Sequence, residues 1–251
     1  LMEKFQIGPL DEDDESLFAM SKAYLLEICQ KAFDLQVKLF IDAEESWIQN
    51  SIDLLAYEMM EKFNKNEVIM YNTFQMYRVD MLGNLTNAIK SAKDQHYFLG
   101  VKLVRGAYLE KERQRSHEEN YSEPLHKNKH DTDRDFNAAV DLCLHNLETV
   151  YFCVGTHNEE SCVLLCDKMN ALGISTNHPQ IHFAQLLGMS DNISYNLAHF
   201  GYNVAKYVPY GPIESVMPYL FRRAEENSSI AGQTSREFAL IKKEVNRRKL
   251  I

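Results

Sequence analysis

The stretch Phe98–Tyr108, FLGVKLVRGAY, decides the fold: an apolar run interrupted by a single lysine stops abruptly at a cation, a glycine and an aromatic ring. A run of this length without clean alternation suits a parallel strand buried on both faces. Working outward, similar runs stand at Val37–Ile41 and Val68–Phe74 on one side, and at Val150–Val154, Ile181–Phe183 and Val204–Val208 on the other. Between them apolar residues recur at helical spacing, as in Ile48, Ile52, Leu55 and Met59, in Phe136, Val140, Cys143 and Leu147, and in Cys162, Leu165 and Met169. Leu17, Met20, Tyr24, Leu25 and Ile28 predict a further helix leading into the first strand. Strand and helix alternating through short links imply a parallel sheet wrapped by helices.

No G-x-G-x-x-G turn follows the first strand, which weakens a dinucleotide-binding sheet and favours a closed barrel. A barrel of this type has eight strands, whereas six runs are countable here. The acidic, turn-rich opening to Glu15 is too short and polar to hide two more. The expectation is an α/β chain: one (β/α)8 TIM-like barrel domain over residues 1–251, its first strands missing, with residues 1–32 forming a polar head and leading helix.

The chain has 251 residues, 45% of them hydrophobic and 25% charged, an ordinary globular balance. Its formal net charge of -9 disfavours a nucleic-acid footprint, which needs a basic face. Five cysteines with no metal-like C-x-x-C pair, most of them inside apolar runs, predict buried free thiols in a reducing compartment. No run reaches the length of a membrane span, and the opening residues resemble neither a signal peptide nor an Arg-rich transit sequence. The sequence reads as a mature or trimmed soluble region.

Residues at the C-terminal ends of barrel strands point into the mouth where active sites are built. Here those ends are Asp42, Glu44 and Glu45; Asn72 and Gln75; Lys102, Arg105 and Tyr108; Thr156, His157 and Asn158; and Tyr207. Lys102, between apolar neighbours, is expected to point inward and to need a partner. Lys102 and Arg105 beside Gly106 suit a phosphate-bearing cofactor, since glycine lets the backbone approach and cations neutralise the charge. Tyr219, Arg222, Arg223 and Glu226 fall at i, i+3, i+4 and i+7, one stripe of a predicted helix after the turn Tyr210-Gly211-Pro212. Two adjacent guanidinium forks can hold a small carboxylate from both sides. The polar segment Lys111–Arg134 follows a strand and reads either as a lid or as a solvated helix and loop. His157, His178 and His182 share no H-E-x-x-H helix, so no metal is expected, and no G-x-S-x-G elbow supports hydrolysis.

The segments IDAEES (41–46), VKLVRGAY (101–108), THN (156–158), QLLGM (185–189) and YVPYGPIESVMPYLFRRAEEN (207–227), in this order, resemble the proline dehydrogenase family, flavoenzymes that oxidise L-proline to Δ1-pyrroline-5-carboxylate. The resemblance runs from about Phe33 to near the C-terminus and is closest to the mitochondrial, eukaryotic-type branch. It implies FAD as cofactor and that Arg222 and Arg223 hold the proline carboxylate, with Leu186, Tyr207 and Tyr219 enclosing the ring. It places Asp42 in the active site, Ala43 against the flavin and Asn72 in a hydrogen bond to the flavin ring. Arg105, Gly106 and Ala107 match the cofactor-binding turn, Thr156, His157 and Asn158 match the part that holds the adenosine and pyrophosphate, and Glu226 is assigned to the cofactor side.

Lys102 stands where bacterial members carry an arginine near flavin N5, which keeps the charge but loses the fork. A substrate-contacting lysine of the family belongs to the second barrel strand, which has no counterpart among the six runs. The resemblance also implies a quinone as electron acceptor and peripheral contact with the matrix side of the mitochondrial inner membrane, or a cytoplasmic, membrane-peripheral enzyme if bacterial. Alternatives are a hydroxyproline dehydrogenase, another flavin-barrel oxidoreductase of the methylenetetrahydrofolate reductase type, or a proline-binding relative without turnover. Tyr207 favours proline by crowding the place of a ring hydroxyl.

Overall fold

All six apolar runs form strands, and they pair in chain order. The computed structural model describes residues 12–214, 216–218, 220–221 and 233–249. The elements are α1 (Glu12–Asp34), β1 (Leu39–Ile41), α2 (Ser46–Phe63), β2 (Met70–Gln75), α3 (Met81–Asp94), β3 (Leu99–Val104), α4 (Leu109–Glu118), α5 (Lys129–Leu144), β4 (Val150–Gly155), α6 (Glu159–Ala171), β5 (Ile181–Leu186), α7 (Asp191–His199), β6 (Val204–Tyr207) and α8 (Gln233–Lys249). Every adjacent pair from β1 to β6 is parallel, and the sheet curls as a half-barrel.

Side-chain alternation along the strands divides two faces. Met70, Phe74, Leu99, Val101, Phe152 and Phe183 enter one continuous core with the buried sides of the helices. Phe136, Val140 and Cys143 of α5 and Cys162, Leu165 and Met169 of α6 join it, as their spacing predicts. Five helices stop in the same way. Gln36, His96, Asn120, Gly173 and Gly201 each take a left-handed conformation, and the next residue donates back five positions, as in Val37 N to Ala32 O at 2.9 Å and Tyr97 N to Ala92 O at 3.1 Å. This stop satisfies the last carbonyls and turns the chain away from the helix axis toward the next element.

Asn64, just beyond α2, is fully buried. Its Oδ1 accepts from Ile69 N at 3.0 Å and Met70 N at 2.9 Å, while its Nδ2 donates to Met70 O at 2.8 Å and Phe98 O at 3.1 Å. One amide thus joins α2, β2 and the start of β3. Asn64→Ala leaves several buried backbone groups without partners and is expected to cost about 3 kcal/mol or more. Chemical denaturation with an unchanged slope and a lowered midpoint is the expected readout; an unchanged midpoint contradicts it.

The first two predicted helices form, though the residues they bury differ from their apolar patterns, and the reading of one polar segment needs correction. In α2 the buried positions are Gln49, Leu54, Ala56, Met59, Met60 and Phe63, so Ile48 is exposed and the inner face is turned by one residue, ~100°. The physical reason is polar: Gln49 accepts from Glu44 N at 2.9 Å and donates to Asp53 Oδ1 at 2.8 Å, and both bonds need it inside. In α1 the helix forms, but Leu17, Met20, Tyr24 and Ile28 face solvent while Cys29 is buried. Periodicity marks an apolar face and says nothing of what covers it. Finally, Lys111–Arg134 is neither a free lid nor a fully solvated segment, since α4 is docked on the start of α2 with Glu112 buried.

All five cysteines are free thiols and only Cys166 is partly exposed. Among the described residues no helix is long and apolar enough to cross a membrane, and no cluster of His, Cys, Asp or Glu could hold a metal ion. The expected stripe of Tyr219, Arg222, Arg223 and Glu226 lies outside the described residues.

Candidate functional site

The face of the sheet turned away from the main core carries the polar strand ends in rows. In register, Thr73 lies beside Lys102, Lys102 beside Cys153 and Cys153 beside His182. One step towards the C-terminal ends, Gly155 lies beside Ala184 and Ala184 beside Ala205; beyond them Leu186 lies beside Tyr207. A polar row with one cation, Lys102, a floor of small residues and an apolar-aromatic rim follow one another. A Cβ at Gly155 would stand 3.2 Å from Val104 Cγ1 and 3.3 Å from Leu103 O, so glycine suits the close packing of β4 on β3 there, with Lys102 Cε 3.7 Å from the same point.

Lys102 is paired as its sequence context demands, with Nζ donating to Asp42 Oδ1 at 2.5 Å. The two side chains are 20% and 55% exposed, so the charges are oriented rather than sequestered. Thr73 Oγ1 donates to Ile41 O at 2.8 Å and holds the end of β1 in place beneath that pair. Burial pushes the Cys153 thiol up to about 12, outweighing the opposing influence of Lys102 and Lys38. It is protonated at neutral pH and is no nucleophile.

His182 moves the other way: burial first, then Lys38, lowers its imidazole from 6.5 to about 4. The unfolded chain therefore takes up a proton that the folded chain refuses between those two values, and stability is full above the upper one and declines toward the lower. The thermal midpoint is expected to fall as pH drops through this window, and His182→Gln should lessen the slope. Parallel profiles for the two chains contradict this source.

At the turn after β3, Gly106 has φ +140, and a Cβ there would lie 2.4 Å from the Tyr77 ring. Only glycine allows the chain to pass this ring. Ala107 N donates to Gln75 Oε1 at 3.3 Å, and Gln75 Nε2 donates to Glu44 O at 2.7 Å, so one side chain joins the turns after β1 and β3. Arg105 points into the helix layer. Its Nε donates to Asp133 at 2.7 Å, its other nitrogens to Thr156 Oγ1 at 2.7 Å and Ser161 Oγ at 3.0 Å, and its guanidinium carbon lies 4.4 Å from the Phe136 ring centre. Burial alone would raise the Asp133 carboxyl, but bonds from Lys129 and Arg105 outweigh it and hold it low. Arg105 and Thr156 thus meet directly, and the arginine's fork is engaged by protein.

The three residues after β4 each have a structural bond. Thr156 accepts from Arg105, His157 Nδ1 is 2.9 Å from Ser190 Oγ, and Asn158 caps α6 by accepting from Ser161 N at 2.9 Å. Lys206, beside Tyr207, donates to Leu186 O at 3.3 Å, Met189 O at 2.8 Å and Asp191 Oδ1 at 2.8 Å, which fixes the loop behind Leu186.

Asn72 departs from its expected place. Its Nδ2 donates to Asp53 Oδ1 of α2 at 2.7 Å, so the amide faces the helix layer and not the row of Thr73 and Lys102. Strand alternation explains it: Asn72 shares the face of Met70 and Phe74, while Gln75 shares that of Thr73. Burial foremost raises the Asp53 carboxyl, with the bonds from Asn72 and Gln49 opposing. Asn72 Oδ1 is buried and accepts no hydrogen bond.

Sequence reading did not single out Asp53, Glu112, Asp133 or Lys206. Each is a charge inside an otherwise ordinary helix or strand, and at least one of its partners is remote in sequence.

A model of one protein family, described as proline dehydrogenase, matches residues 4–236. The mitochondrial proline dehydrogenase 1 of Drosophila melanogaster is 34% identical over 252 residues, covering 96% of this chain and 37% of its own length. The hydroxyproline dehydrogenase of Xenopus laevis is 35% identical over 243 residues, covering 95% of this chain and 52% of its own. Among solved structures, proline utilization A of Bdellovibrio bacteriovorus, inactivated by N-propargylglycine, superposes with a TM-score of 0.80 at 21% identity over 86% of this chain and 23% of that one. The chain therefore spans between about a third and about half of the length of the two curated relatives.

Proposed function

The chain belongs to the proline dehydrogenase family, and from that premise we propose that residues 1–251 form one catalytic domain for the FAD-dependent oxidation of L-proline to Δ1-pyrroline-5-carboxylate. The observation that carries the reading is the sequence of rows on the open face: the Lys102–Asp42 pair, then the Gly155–Ala184–Ala205 floor, then the rim of Leu186 and Tyr207. A flat, electron-poor ring fits a floor of small residues with a cation at one side. That donor set suits a flavin, and Lys102, Ala43 and the Gly106–Ala107 turn are the residues to hold it. When bound, the flavin supplies the two-electron acceptor.

The chain's own residues bind and orient. Arg222 and Arg223 take the substrate carboxylate, which fixes the ring by one end. Leu186 and Tyr207 press on its apolar body and exclude water, leaving the ring carbon beside the nitrogen, away from the carboxylate, free to react. Lys102, oriented by Asp42, places fixed positive charge where electron density increases. Loss of hydride requires the free-base amine, so the rate of reduction is expected to rise with pH. Electrons leave to a quinone at the matrix side of the inner membrane; the mitochondrial setting alone is supported by the likeness to the fly mitochondrial proline dehydrogenase 1.

A second reading, oxidation of hydroxyproline, is favoured by the Xenopus relative. Tyr207 separates the two. It borders the floor in register with Leu186, and a phenol there crowds a ring hydroxyl. The chain loaded with FAD is expected to be reduced at lower concentrations of L-proline than of trans-4-hydroxy-L-proline, and Tyr207→Ser should narrow that gap by about tenfold, the scale of one lost steric contact. Preference for hydroxyproline in the unchanged chain reverses the assignment.

A further inference from the structure

Helix α4 crosses the start of α2 with one stripe, and each residue of that stripe meets a successive residue of the other segment. Tyr108, at the helix start, donates to Glu44 Oε2. Lys111 Nζ lies 2.6 Å from Glu45 Oε1. Glu112 accepts from Ser46 N at 2.6 Å through Oε1 and from Ser46 Oγ at 2.7 Å through Oε2. Arg115 stands over the Trp47 ring at 4.7 Å. Positions i, i+3, i+4 and i+7 thus engage Glu44 to Trp47 in order.

Glu112 is the centre of this contact. It is 0% exposed, and both oxygens are engaged by one residue. Glu45, the residue before α2, makes no side-chain cap bond to that helix. The carboxylate of α4 therefore supplies from outside the negative group that a helix N-terminus favours. A buried charge with two short bonds has little freedom, and it holds Ser46 where it is. Ser46 closes the turn that begins with Asp42 and Ala43.

We propose that α4 is a strap across the β1–α2 turn and that Glu112 is a positioning residue, setting through Ser46 the placement of Asp42 and Ala43 toward the cofactor. The role of those two residues rests on the proline dehydrogenase reading, whereas the strap does not. Trp47 is the chain's single tryptophan and lies under the strap, so its emission reports docking without any cofactor.

The test uses the full 251-residue chain with Glu112→Ala and Glu112→Gln, reading Trp47 emission and acrylamide quenching, then the affinity for added FAD. Glu112→Ala is expected to red-shift the emission, to raise quenching several-fold and to weaken FAD binding by about tenfold. Glu112→Gln, whose amide still accepts from Ser46 N and can donate to Ser46 Oγ, should restore both to within about threefold. Unchanged Trp47 emission in Glu112→Ala overturns the strap. Shifted emission with unchanged FAD affinity overturns the positioning role and leaves the functional reading standing.

FAD bound by neither the unchanged chain nor the variants overturns the functional reading, and the positioning role with it. Should Glu112→Ala fail to fold, Arg115→Ala replaces it. This variant is expected to alter Trp47 emission and leave FAD affinity within about twofold, because the Ser46 bonds remain. A loss of FAD affinity as large as about tenfold in Arg115→Ala overturns the assignment to Glu112.

Discussion

Replacing Arg222 and Arg223 together by alanine is expected to raise the L-proline concentration that half-reduces the bound flavin by roughly two to three orders of magnitude, on the scale of about 3–4 kcal/mol for losing charge-assisted bonds to a carboxylate. The pair is adjacent in sequence and follows the last barrel strand, where the site is built. Lysine at both positions should recover part of the loss, since charge returns without the planar fork. Flavin affinity should change little, which separates substrate binding from collapse of the site. An unchanged half-reducing concentration would remove the carboxylate clamp from the account.

Lys102→Met is expected to slow flavin reduction by about a hundredfold at saturating L-proline, a magnitude typical of deleting one fixed charge at a reacting centre. Alternation sends Lys102 to the open face, where Asp42 takes its ammonium at 2.5 Å. Methionine keeps the length of the side chain and removes the charge, so its place beside Thr73 in the register is kept, while Asp42 loses that partner and the Phe40 ring loses the ammonium 6.0 Å from its centre. Asp42 is more than half exposed, so folding should be nearly unaffected. Lys102→Arg should retain most of the rate, and its fork can engage Asp42 by two bonds. A rate in Lys102→Met equal to that of the unchanged chain would make Lys102 a structural ion-pair partner only.

The strands were legible because their runs are apolar almost throughout, on the open face as well as on the core face. Runs such as Phe98–Val104 carry little but apolar residues, and the lone Lys102 marks the open face by its incongruity. Motif order was sufficient to identify the family from single residues in register with strand ends. Legibility stopped where a partner is remote. Nothing near Glu112 distinguishes it from Glu110 or Glu118, and its partner Ser46 is 66 residues away. Asn72 was misplaced because the last residues of a strand alternate between faces, and a motif position alone does not tell which face a given one takes. The stripe of α2 was misread by one position because Gln49 goes inside for its hydrogen bonds, an outcome that hydropathy opposes.

The central claim is that this half-barrel carries the proline-oxidising face of a flavoenzyme. Its most direct test is the anaerobic visible spectrum of the purified chain, loaded with FAD, before and after addition of L-proline. The account predicts a yellow protein whose flavin absorbance near the long-wavelength maximum bleaches on addition of L-proline. A chain that binds FAD and keeps its full absorbance in excess L-proline would contradict it.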